Sequence, residues 1–269
     1  MKDFKNKVVV ITGVGSGIGR ALAVAFHKKG AKLALNDFNE STLLETVAML
    51  GGESAVFSKP FDVADKTAFF QFAEEVVEHY GEVDVVINNA GVGISRLSTL
   101  EVSIEDYEWI FGINLWGMMY GTLAFLPHLR KQKEASVVNV SSIFGFHGIP
   151  FQTAYSTTKF GIRGCTESLA VEEKILKTGV TVTSVHPGGI KTNIARSSRH
   201  RVQDEEFLQK VEANFITSSA KAAKTILNGI QGKKMRVVIG PDGKIFYWMN
   251  KLSQWLVVRV LMRFAKKIK

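Results

Sequence analysis

Short β-branched runs alternate with longer amphipathic segments along most of the chain, and this alternation limits the possible folds more than any other feature. Segments with helical spacing lie at about 17–29, 40–50, 66–80, 104–131, 154–177 and 219–231. Runs that predict strands lie at 7–12, 32–37, 54–59, 83–88, 136–141, 180–185 and 235–240. Most of these runs are apolar nearly throughout, as expected of strands covered on both faces. The pattern predicts an α/β fold with a doubly wound sheet of about seven parallel strands and helices on both faces.

Composition and length fit one compact domain. The 269 residues are 46% hydrophobic and 22% charged, which favours a large packed core over disorder. No repeat or low-complexity linker divides the chain, so we expect a single domain over residues 1–243. Cys165 is the only cysteine, which excludes an internal disulfide and a thiolate metal cluster and fits a reducing, cytoplasmic compartment. The opening MKDFKNKVVVITG predicts a core strand rather than a signal peptide, and no metal site is predicted.

The net charge of +9 is concentrated at one end of the chain. Residues 244–269 contain seven Lys and Arg and no acidic residue, whereas residues 1–243 carry 27 basic and 25 acidic residues. A nearly neutral body is not the charge pattern of a nucleic-acid-binding domain, so we expect no nucleic-acid partner. The pattern indicates a body with a cationic extension that can meet an anionic surface.

The stretch TGVGSGIG (12–19) follows the first predicted strand and opens the first predicted helix. Gly13, Gly17 and Gly19 would let the backbone turn tightly and approach a pyrophosphate, which the positive end of a helix attracts. The spacing is G-x-x-x-G-x-G, and a glycine-rich turn can also be an ordinary connection. Its position on the first strand–helix turn favours nucleotide binding.

Asp37 ends the second predicted strand, 18 positions after Gly19, close to the spacing of an acid that binds an adenosine ribose. A carboxylate accepts hydrogen bonds from both ribose hydroxyls and repels a 2′-phosphate. No basic residue follows directly, and Ser16 occupies the other usual position of a phosphate-binding base, so NAD is favoured over NADP. Asp37 could instead cap the next helix, a task that Asn39 or Ser41 could perform equally well.

Two further motifs follow later strands and are ambiguous alone. Asp62, in FDVAD (61–65), could accept a hydrogen bond from an adenine amino group or simply begin a helix. NNAGVG (88–93) combines amides and small residues that suit a backbone lying against a flat ligand, although Asn side chains also stabilise turns. Both motifs stand after the carboxyl ends of strands, where ligands bind to open parallel sheets.

Tyr155 and Lys159 are four residues apart in AYSTTKFG (154–161) and share one face of a predicted helix. A lysine cation lowers the pKa of a nearby phenol toward the range of efficient acid–base catalysis, and it can also donate to a ribose hydroxyl. Ser142 stands at the end of the fifth strand, where its hydroxyl can hold a substrate oxygen near the phenol. Asn114 lies within the preceding long helix. This set suits the proton transfer that accompanies alcohol oxidation or ketone reduction.

Together these motifs resemble the classical short-chain dehydrogenase/reductase family over about residues 5–240. The matching positions are Thr12, Gly13, Gly17, Gly19, Asn88, Asn89, Ala90, Gly91, Asn114, Ser142, Tyr155, Lys159, Pro187 and Gly188. The resemblance implies a Rossmann-type fold in which Tyr155 is the general acid and base and Lys159 lowers its pKa and holds the nicotinamide ribose. It also implies that Ser142 orients the substrate oxygen and that Asn114 holds a proton-relay water.

The resemblance assigns NAD binding to a larger set of residues in the glycine turn, at the strand ends and in the segment HPGGIKT (186–192). The set is Gly13, Gly15, Ser16, Gly17, Ile18, Gly19, Asp37, Phe38, Asp62, Val63, Asn89, Ala90, Gly91, Tyr155, Lys159, Pro187, Gly188, Ile190 and Thr192. Ile190 would offer backbone groups to the nicotinamide carboxamide, and Thr192 would offer a hydroxyl. Residues at about 189–216 would then form a lid over the substrate.

The residues between Ser142 and Tyr155 predict an apolar substrate. SSIFGFHGIPFQ (141–152) would place four apolar side chains beside the reacting carbon, namely Phe144, Phe146, Ile149 and Phe151. Some of them could instead pack in the core or in a subunit contact. The basic residues of the predicted lid could meet an anionic group or remain solvated, and these are Arg196, Arg199 and Arg201.

Residues 244–269 predict a basic amphipathic extension beyond the usual family length. Its apolar face has helical spacing and comprises Val257, Val260, Leu261, Phe264, Ala265 and Ile268. With Trp248 and Trp255 before it, this helix could lie on a membrane surface, or its apolar face could pack on the body or on a partner subunit. Arg259 interrupts the apolar run, which leaves it too short to span a membrane.

The leading hypothesis is an NAD(H)-dependent oxidoreductase that interconverts a secondary alcohol and a ketone on a lipophilic substrate such as a lipid, long-chain or steroid-like molecule. A 3-oxoacyl-thioester reductase is an alternative, although Asp37 argues against the NADPH preference usual for that activity. A membrane-associated interaction protein that retains a cofactor site is a third hypothesis, against which stands the presence of all four reactive residues. Since family members are often dimers or tetramers, we expect a homo-oligomer.

Overall fold

The computed structural model describes residues 1–52, 54–194, 196–200, 209 and 215–266. Seven parallel strands form the main sheet in the order β3-β2-β1-β4-β5-β6-β9. They are β1 Val8–Thr12, β2 Lys32–Asp37, β3 Phe57–Pro60, β4 Val85–Asn88, β5 Ala135–Val140, β6 Val180–Pro187 and β9 Arg236–Ile239. A separate parallel pair consists of β7 Ile190–Lys191 and β8 Thr217–Ser218. The predicted doubly wound parallel sheet is confirmed.

The helices of the described residues cover both faces of this sheet. They are α1 Gly17–His27, α2 Glu40–Ala48, α3 Lys66–Tyr80, α4 Ile104–Phe111, α5 Gly117–Leu129, α6 Thr153–Leu176, α7 Ser219–Gln231, α8 Pro241–Leu252 and α9 Gln254–Lys266. A π-helical turn, Gly112–Trp116, joins α4 to α5, and a 3₁₀ turn, Ile143–Gly145, follows β5. Strand β3 starts at Phe57 rather than at the predicted residue 54, because the chain first turns with the Ala55 N–H donating to the Gly52 carbonyl.

Two apolar layers hold the helices to the sheet. Val9 and Ile11 of β1 point into a layer formed mainly by α1 and α7, where Phe26 is fully buried. Val8 and Val10 point into the opposite layer, formed mainly by α3 and α5. Alternate residues of one strand therefore enter different cores, which explains why the strand sequences are apolar throughout.

The strand order reverses between β1 and β4, since β1 continues outward to β2 and β3 while β4 continues to β5 and β6. In open parallel sheets this reversal opens a crevice beyond the carboxyl ends of the strands. Thr12, Asn88, Val140 and Pro187 end β1, β4, β5 and β6, so the motifs that follow these residues meet at one edge. The fold thus brings together segments that are far apart in sequence.

The predicted basic extension begins as a helix that packs on the body. The Tyr247 ring of α8 lies 5.1 Å from the Phe146 ring, and the Tyr247 hydroxyl accepts a hydrogen bond from Arg236 at 3.2 Å. Asp242 accepts a hydrogen bond from the Gly189 N–H at 2.6 Å. Helix α8 therefore contacts the segments that follow both β5 and β6.

Helix α9 turns its predicted apolar face toward the protein. Val257 is fully buried, and Val260 and Leu261 are partly buried. The predicted positions Phe264, Ala265 and Ile268 lie outside the described side chains. The sequence left two arrangements open for this face, contact with a membrane or packing on the body or a partner subunit, and the described contacts of α9 are with α8.

The helical run Ile104–Leu129 is long and apolar enough to cross a membrane by length and composition alone, with 26 residues and a mean hydropathy of 1.3. Its residues Phe125 and Leu129 are fully buried against the sheet and α3. Part of this run is therefore a core helix of the fold, while Trp116 and Leu123 of the same run are exposed.

Candidate active site

The glycine turn between β1 and α1 leaves the start of α1 open. Gly13 and Gly17 adopt positive φ angles of 70° and 57°, a region that glycine enters at little cost. A Cβ atom on Gly19 would lie 2.0 Å from the Gly13 carbonyl oxygen, so only glycine permits this close approach. The Ser16 side chain makes no capping hydrogen bond, and the first turn of α1 contains no acidic residue. The first N–H groups of α1 are therefore available to an anion such as a pyrophosphate.

Asp37 lies beside this turn at the end of β2. Its Oδ2 accepts a hydrogen bond from the Gly15 N–H at 2.7 Å, and its Oδ1 accepts one from the Asn39 N–H at 2.9 Å. Asn39 is the residue that caps α2. Phe38 is exposed next to Asp37, whereas Ile18 packs on the core below the turn. Asp37 therefore has no capping role and is positioned against the glycine turn.

Asn89 ties the ends of β4 and β1 together. Its Nδ2 donates to the carbonyls of Thr12 at 2.9 Å and Gly13 at 3.0 Å. The Thr12 hydroxyl accepts hydrogen bonds from the N–H groups of Asn89 and Ala90, each at 3.1 Å. The Asn89 side chain thus fixes the shape of the crevice, and its neighbours Ala90 and Gly91 present backbone toward it.

Asp62 and Val63 also have partners within the protein. The Asp62 carboxylate accepts a hydrogen bond from the Ala64 N–H at 2.9 Å, which stabilises the turn before α3. Val63 is buried, and a Cβ atom on Gly117 would lie 2.8 Å from its side chain. Both residues stand at the predicted adenine side of the crevice, after β3.

The segment from Pro187 to Thr192 leaves the end of β6 and returns to the glycine turn. Ile190 is buried and pairs with Thr217 in the β7–β8 ladder. A Cβ atom on Gly17 would lie 3.0 Å from the Thr192 side chain, so Thr192 and Gly17 are neighbours. The predicted nicotinamide segment therefore reaches from the end of β6 to the predicted phosphate site.

Asn114 lies in the π-helical turn, where the single helix predicted over 104–131 is interrupted. Its Oδ1 accepts a hydrogen bond from the Val92 N–H at 2.8 Å, and its Nδ2 donates to the Val92 carbonyl at 3.0 Å. A Cβ atom on Gly91 would lie 3.2 Å from Asn114 Oδ1 and 3.4 Å from Lys159 Nζ. The extra residue of the π turn, a feature common at functional sites, thus places Asn114 between the loop after β4 and the lysine.

Ser142, Tyr155 and Lys159 converge beyond the carboxyl end of β5. The Ser142 hydroxyl lies close enough to the Tyr155 phenol to lower its pKa, and it accepts a hydrogen bond from the Phe144 N–H at 3.2 Å. Lys159 Nζ lies 5.4 Å from the centre of the Tyr155 ring and donates to the Val140 carbonyl at 3.2 Å. The structure therefore brings all four predicted reactive residues to one place.

Burial acts on both ionisable groups of this cluster. It raises the pKa of Tyr155 to about 12, and the nearby Ser142 hydroxyl lowers this pKa by a smaller amount. Burial also lowers the pKa of Lys159 to about 8. The sequence predicted that Lys159 would lower the pKa of Tyr155, but in the protein alone desolvation is the larger effect and the pKa is raised. Each group is thus held in a place that disfavours its charged form.

His186 binds the backbone of Ser142. It opens the segment HPGGIKT, but no role of its own was predicted for it from the sequence. Its Nδ1 lies 2.9 Å from the Ser142 carbonyl oxygen and must carry the proton, because a carbonyl can only accept. Its Nε2 accepts a hydrogen bond from the Ser184 hydroxyl at 2.8 Å, and its ring stacks on Phe146 with the ring centres 4.0 Å apart. Burial lowers the pKa of His186 to about 4, which keeps the ring neutral. A histidine next to the end of a largely buried strand was the signal that could have revealed it.

The four apolar residues predicted beside the reacting carbon divide into two groups. Phe146 and Ile149 are buried in the protein, so the alternative of core packing applies to them. The Phe144 ring stands perpendicular to the Tyr155 ring with the centres 6.0 Å apart, and Phe151 is partly buried. Further apolar side chains are partly buried in the same cluster as Tyr155, among them Val92, Leu97 and Trp109.

Arg199 of the predicted lid is bound to α4. Its guanidinium forms an ion pair with Asp106 at 3.2 Å and lies 4.8 Å from the centre of the Trp109 ring. His200 Nε2 also lies 2.9 Å from the Asp106 carboxylate. Residue 195, Arg201 and the predicted lid residues 202–208 and 210–214 lie outside the described residues.

A parallel doubly wound sheet with a serine, a tyrosine and a lysine beyond its central strands defines an enzyme of the dehydrogenase/reductase class. A sequence profile of short chain dehydrogenases matches residues 7–203. The chain is 42% identical to SadH of Mycobacterium tuberculosis over 250 residues. The aligned region covers 91% of this chain and 90% of SadH. This protein belongs to the short chain dehydrogenase family.

Solved structures are similar over most of the chain. A short chain dehydrogenase/reductase from Burkholderia phymatum, solved in complex with NAD, has a TM-score of 0.81 and 29% identity, covering 88% of this chain and 90% of that one. An alcohol dehydrogenase from Thermococcus sibiricus, solved with 5-hydroxy-NADP, has a TM-score of 0.73 and 27% identity. The match covers 86% of this chain and 93% of that one. These structures agree with the observed fold.

Proposed function

We propose that this protein is an NAD(H)-dependent oxidoreductase that interconverts a secondary alcohol and a ketone on a lipophilic substrate. The observation that carries the proposal is the convergence of Ser142, Tyr155 and Lys159 beyond the end of β5, at the same sheet edge as the glycine turn, with Lys159 Nζ 5.4 Å from the centre of the Tyr155 ring. The residues at this edge fit a dinucleotide, because α1 begins without a side-chain cap and glycine backbone lines its approach. When bound, the nicotinamide would accept or supply the hydride.

Tyr155 would act as general base in oxidation and as general acid in reduction. Ser142 would hold the substrate oxygen within reach of the Tyr155 hydroxyl. Because burial raises the pKa of Tyr155 to about 12, the neutral phenol is ready to donate its proton to an alkoxide. For oxidation, protonated Lys159 would favour the phenolate and also hold the nicotinamide ribose.

Asn114 would support a proton-relay water on the lysine side of the site. Its amide is fixed at both ends by the backbone of Val92. Lys159 is mostly enclosed, so a proton that leaves it needs a path to solvent. The position of Asn114 between Gly91 and Lys159 supports this role.

Asp37 supports NAD over NADP as the cofactor. Its carboxylate lies against the glycine turn, where a ribose hydroxyl could replace the hydrogen bond that now comes from Gly15. Arg20, a cation near the same turn, is bound by Glu45 at 2.8 Å and by the Gly15 carbonyl. A 2′-phosphate would therefore meet a negative charge while the neighbouring guanidinium is already paired.

The side chains near Tyr155 support a lipophilic substrate. Phe144 stands edge-on to the tyrosine, and Leu97 lies in the same apolar cluster. Arg199, which could have received an acidic carrier protein, is paired with Asp106. Both observations favour an apolar alcohol or ketone over the 3-oxoacyl-thioester alternative.

Turnover of a panel of lipophilic ketones and alcohols with NADH, NADPH and their oxidised forms tests the reaction. We expect Tyr155→Phe to lower kcat at least about 100-fold, the size of a general acid–base contribution, while NADH affinity stays within about twofold. Tyr120→Phe is the matched control, because Tyr120 stacks on Trp116 away from this cluster. Retained turnover in Tyr155→Phe would refute the assigned role.

The cofactor preference has its own test within the same assay. Asp37→Ser should raise NADPH use relative to NADH by about tenfold or more, because it removes the negative charge that would repel the 2′-phosphate. Asp65→Ser keeps a capping hydroxyl at the start of α3 and should leave the preference unchanged. An unaltered preference in Asp37→Ser would contradict NAD selection by Asp37 and would leave the oxidoreductase assignment standing.

A further inference from the structure

We propose that helices α8 and α9 form a docking surface for an anionic lipid bilayer. This tail surface consists of the apolar residues Ile245, Trp248, Leu252 and Trp255 and the basic residues Lys244, Lys251, Arg259 and Arg263. It goes beyond the proposed reaction and does not depend on it.

Helix α8 is apolar on its outer side as well as on its inner side. Ile245, Trp248 and Leu252 are spaced i, i+3 and i+7, so they share one face, and they are 62%, 55% and 78% exposed. The inner side is occupied by Gly243, which is buried, and by Tyr247, which packs on Phe146. Single exposed apolar residues are ordinary on protein surfaces, but a contiguous row of large ones indicates a binding surface.

Helix α9 extends this surface with residues other than those predicted. The face that carries Val257 packs inward, whereas Trp255 is 60% exposed and Met262 also reaches solvent. From the sequence, the face that carries Val257, Val260 and Leu261 was expected either to lie on a membrane or to pack on the body or a partner subunit. The outer face of α9 is therefore mixed, with tryptophan and methionine among basic residues.

Two cations lie directly over the tryptophan rings of the tail surface. Lys251 Nζ is 5.1 Å from the centre of the Trp248 ring, and the Arg259 guanidinium is 3.4 Å from the centre of the Trp255 ring. Tryptophan prefers the boundary between lipid tails and headgroups, and long basic side chains reach from that depth to the phosphates. This pairing of ring and cation suits a bilayer surface that offers apolar depth and negative charge together.

The charge of the segment determines the kind of occupant. Residues 244–269 contain seven Lys and Arg and no acidic residue, whereas the preceding residues are almost balanced. In a two-fold dimer through this surface, each copy would present the same cationic residues to the other, and like charges oppose such a contact. An anionic bilayer attracts every one of these residues, at about fivefold in affinity for each charge near the surface.

The tail surface lies close to the substrate side of the active site. A Cβ atom on Gly243 of α8 would lie 3.4 Å from the Ile143 side chain, and Ile143 directly follows Ser142. A bilayer bound to α8 would thus lie near the edge of the sheet that carries Ser142.

Point substitutions test this surface better than truncation, because removal of α8 would also remove the contacts of Asp242 with Gly189 and of Tyr247 with Phe146. The full chain is mixed with phosphatidylcholine vesicles, with or without phosphatidylserine, and sedimented. We expect binding to the vesicles with phosphatidylserine, loss of this binding at high salt, and little binding to phosphatidylcholine alone.

The double variant Trp248→Gln/Leu252→Gln should lower affinity for the anionic vesicles at least about tenfold, because two large side chains no longer enter the bilayer. The matched control is Leu100→Gln/Ile104→Gln, which changes two side chains that are 98% and 69% exposed elsewhere on the protein. It should bind as the unchanged protein does. Arg259→Gln should weaken binding about fivefold and reduce its salt dependence.

Three results would overturn the proposal. The unchanged protein could stay in the supernatant with anionic vesicles, or bind neutral and anionic vesicles equally and without regard to salt. The tail variant could instead change the molar mass measured by light scattering without changing vesicle binding, which would assign the surface to a contact between copies of the chain. Thermal melting of each variant checks that it is folded.

Discussion

Lys159 is a cationic group held where charge is unfavourable. It is almost fully buried, and burial lowers its pKa from the ordinary 10.5 to about 8. We therefore expect Lys159→Met to increase the free energy of unfolding of the cofactor-free protein at pH 7 by up to about 3 kcal/mol, at about 1.4 kcal/mol for each pH unit of the shift. The same substitution should abolish turnover, since it removes the cation beside Tyr155.

The gain in the free energy of unfolding expected for Lys159→Met depends on pH, because burial lowers the pKa of Lys159 in the folded state. The folded-state pKa lies below the unfolded value, so the penalty of the charged amine is present in full below pH 8 and disappears as pH rises from 8 to 10.5. In urea unfolding, the free energy of unfolding of Lys159→Met should exceed that of the unchanged protein at pH 7, and the difference should be smaller at pH 9.5. Lys221→Met, at an exposed lysine, should give no such difference.

His186 positions Ser142 through the hydrogen bond from Nδ1 to the Ser142 carbonyl. His186→Phe keeps a ring against Phe146 but removes this donor, so we expect kcat to fall about tenfold with NADH affinity unchanged. His186→Asn loses the ring stacking but keeps an amide N–H in a similar place. It should restore much of kcat while melting at a lower temperature, which separates positioning from stability. Equal kcat values in the two variants would contradict the positioning role.

The residues of the candidate active site were predictable from the sequence to different degrees. Tyr155 and Lys159 share a helix face, so their meeting followed from spacing alone. The raised pKa of Tyr155 did not, because it depends on how completely the surrounding chain excludes water. His186 acts through the backbone of a residue 44 positions away, and no local pattern encodes that contact.

At the scale of elements, α1 begins at the crevice without a side-chain cap. Ser16 has extended backbone angles of a capping residue, but its side chain makes no capping bond. Ser16→Asp should cap the helix and complement its positive end, which would increase the free energy of unfolding by about 1 kcal/mol. The added charge should also weaken NADH binding at least about tenfold, because it would occupy the position of the pyrophosphate.

Chemical denaturation and NADH titration measure the two effects separately. Ser16→Asn, which caps without charge, should give a similar gain in stability with a smaller loss of affinity. If Ser16→Asp binds NADH as tightly as the unchanged protein, the start of α1 is not the pyrophosphate site.

At the scale of elements, periodicity located the sheet and the long helices but missed local adjustments. The helix predicted over 104–131 is interrupted by a π turn at Asn114, which bonds both backbone groups of Val92, a contact between distant segments. The apolar face predicted for α9 carries Val257, which is buried. The sequence did not show which side of α9 meets the body, because this depends on α8. The pattern did not resolve α8 as a separate packed helix.

The whole molecule presents a second exposed apolar row, on α6. Phe160, Val171 and Ile175 are exposed on one side of this helix. Trp116, the last residue of the π turn, and Leu123 of α5 are also exposed. We expect a homo-oligomer through these helices, so Val171→Asp should lower the molar mass measured by light scattering. Leu44→Asp, at an exposed leucine of α2, is the matched control and should leave the mass unchanged. A monomeric unchanged protein at micromolar concentration would refute this assembly.

The contacts of α8 also bear on the order in which the site can form during synthesis on a ribosome. The glycine turn, Asp37 and the loop held by Asn114 all precede residue 115, and their mutual hydrogen bonds involve only that part of the chain. The segments after Ser142 and Pro187 gain the support of Tyr247 and Asp242 only when residues 241–252 have been made. The edge that would bind the pyrophosphate and the adenosine ribose is thus encoded early, whereas the edge that would hold the nicotinamide and the substrate is completed late. A nascent chain therefore acquires the parts for one half of the cofactor before those that hold the nicotinamide and the reacting alcohol.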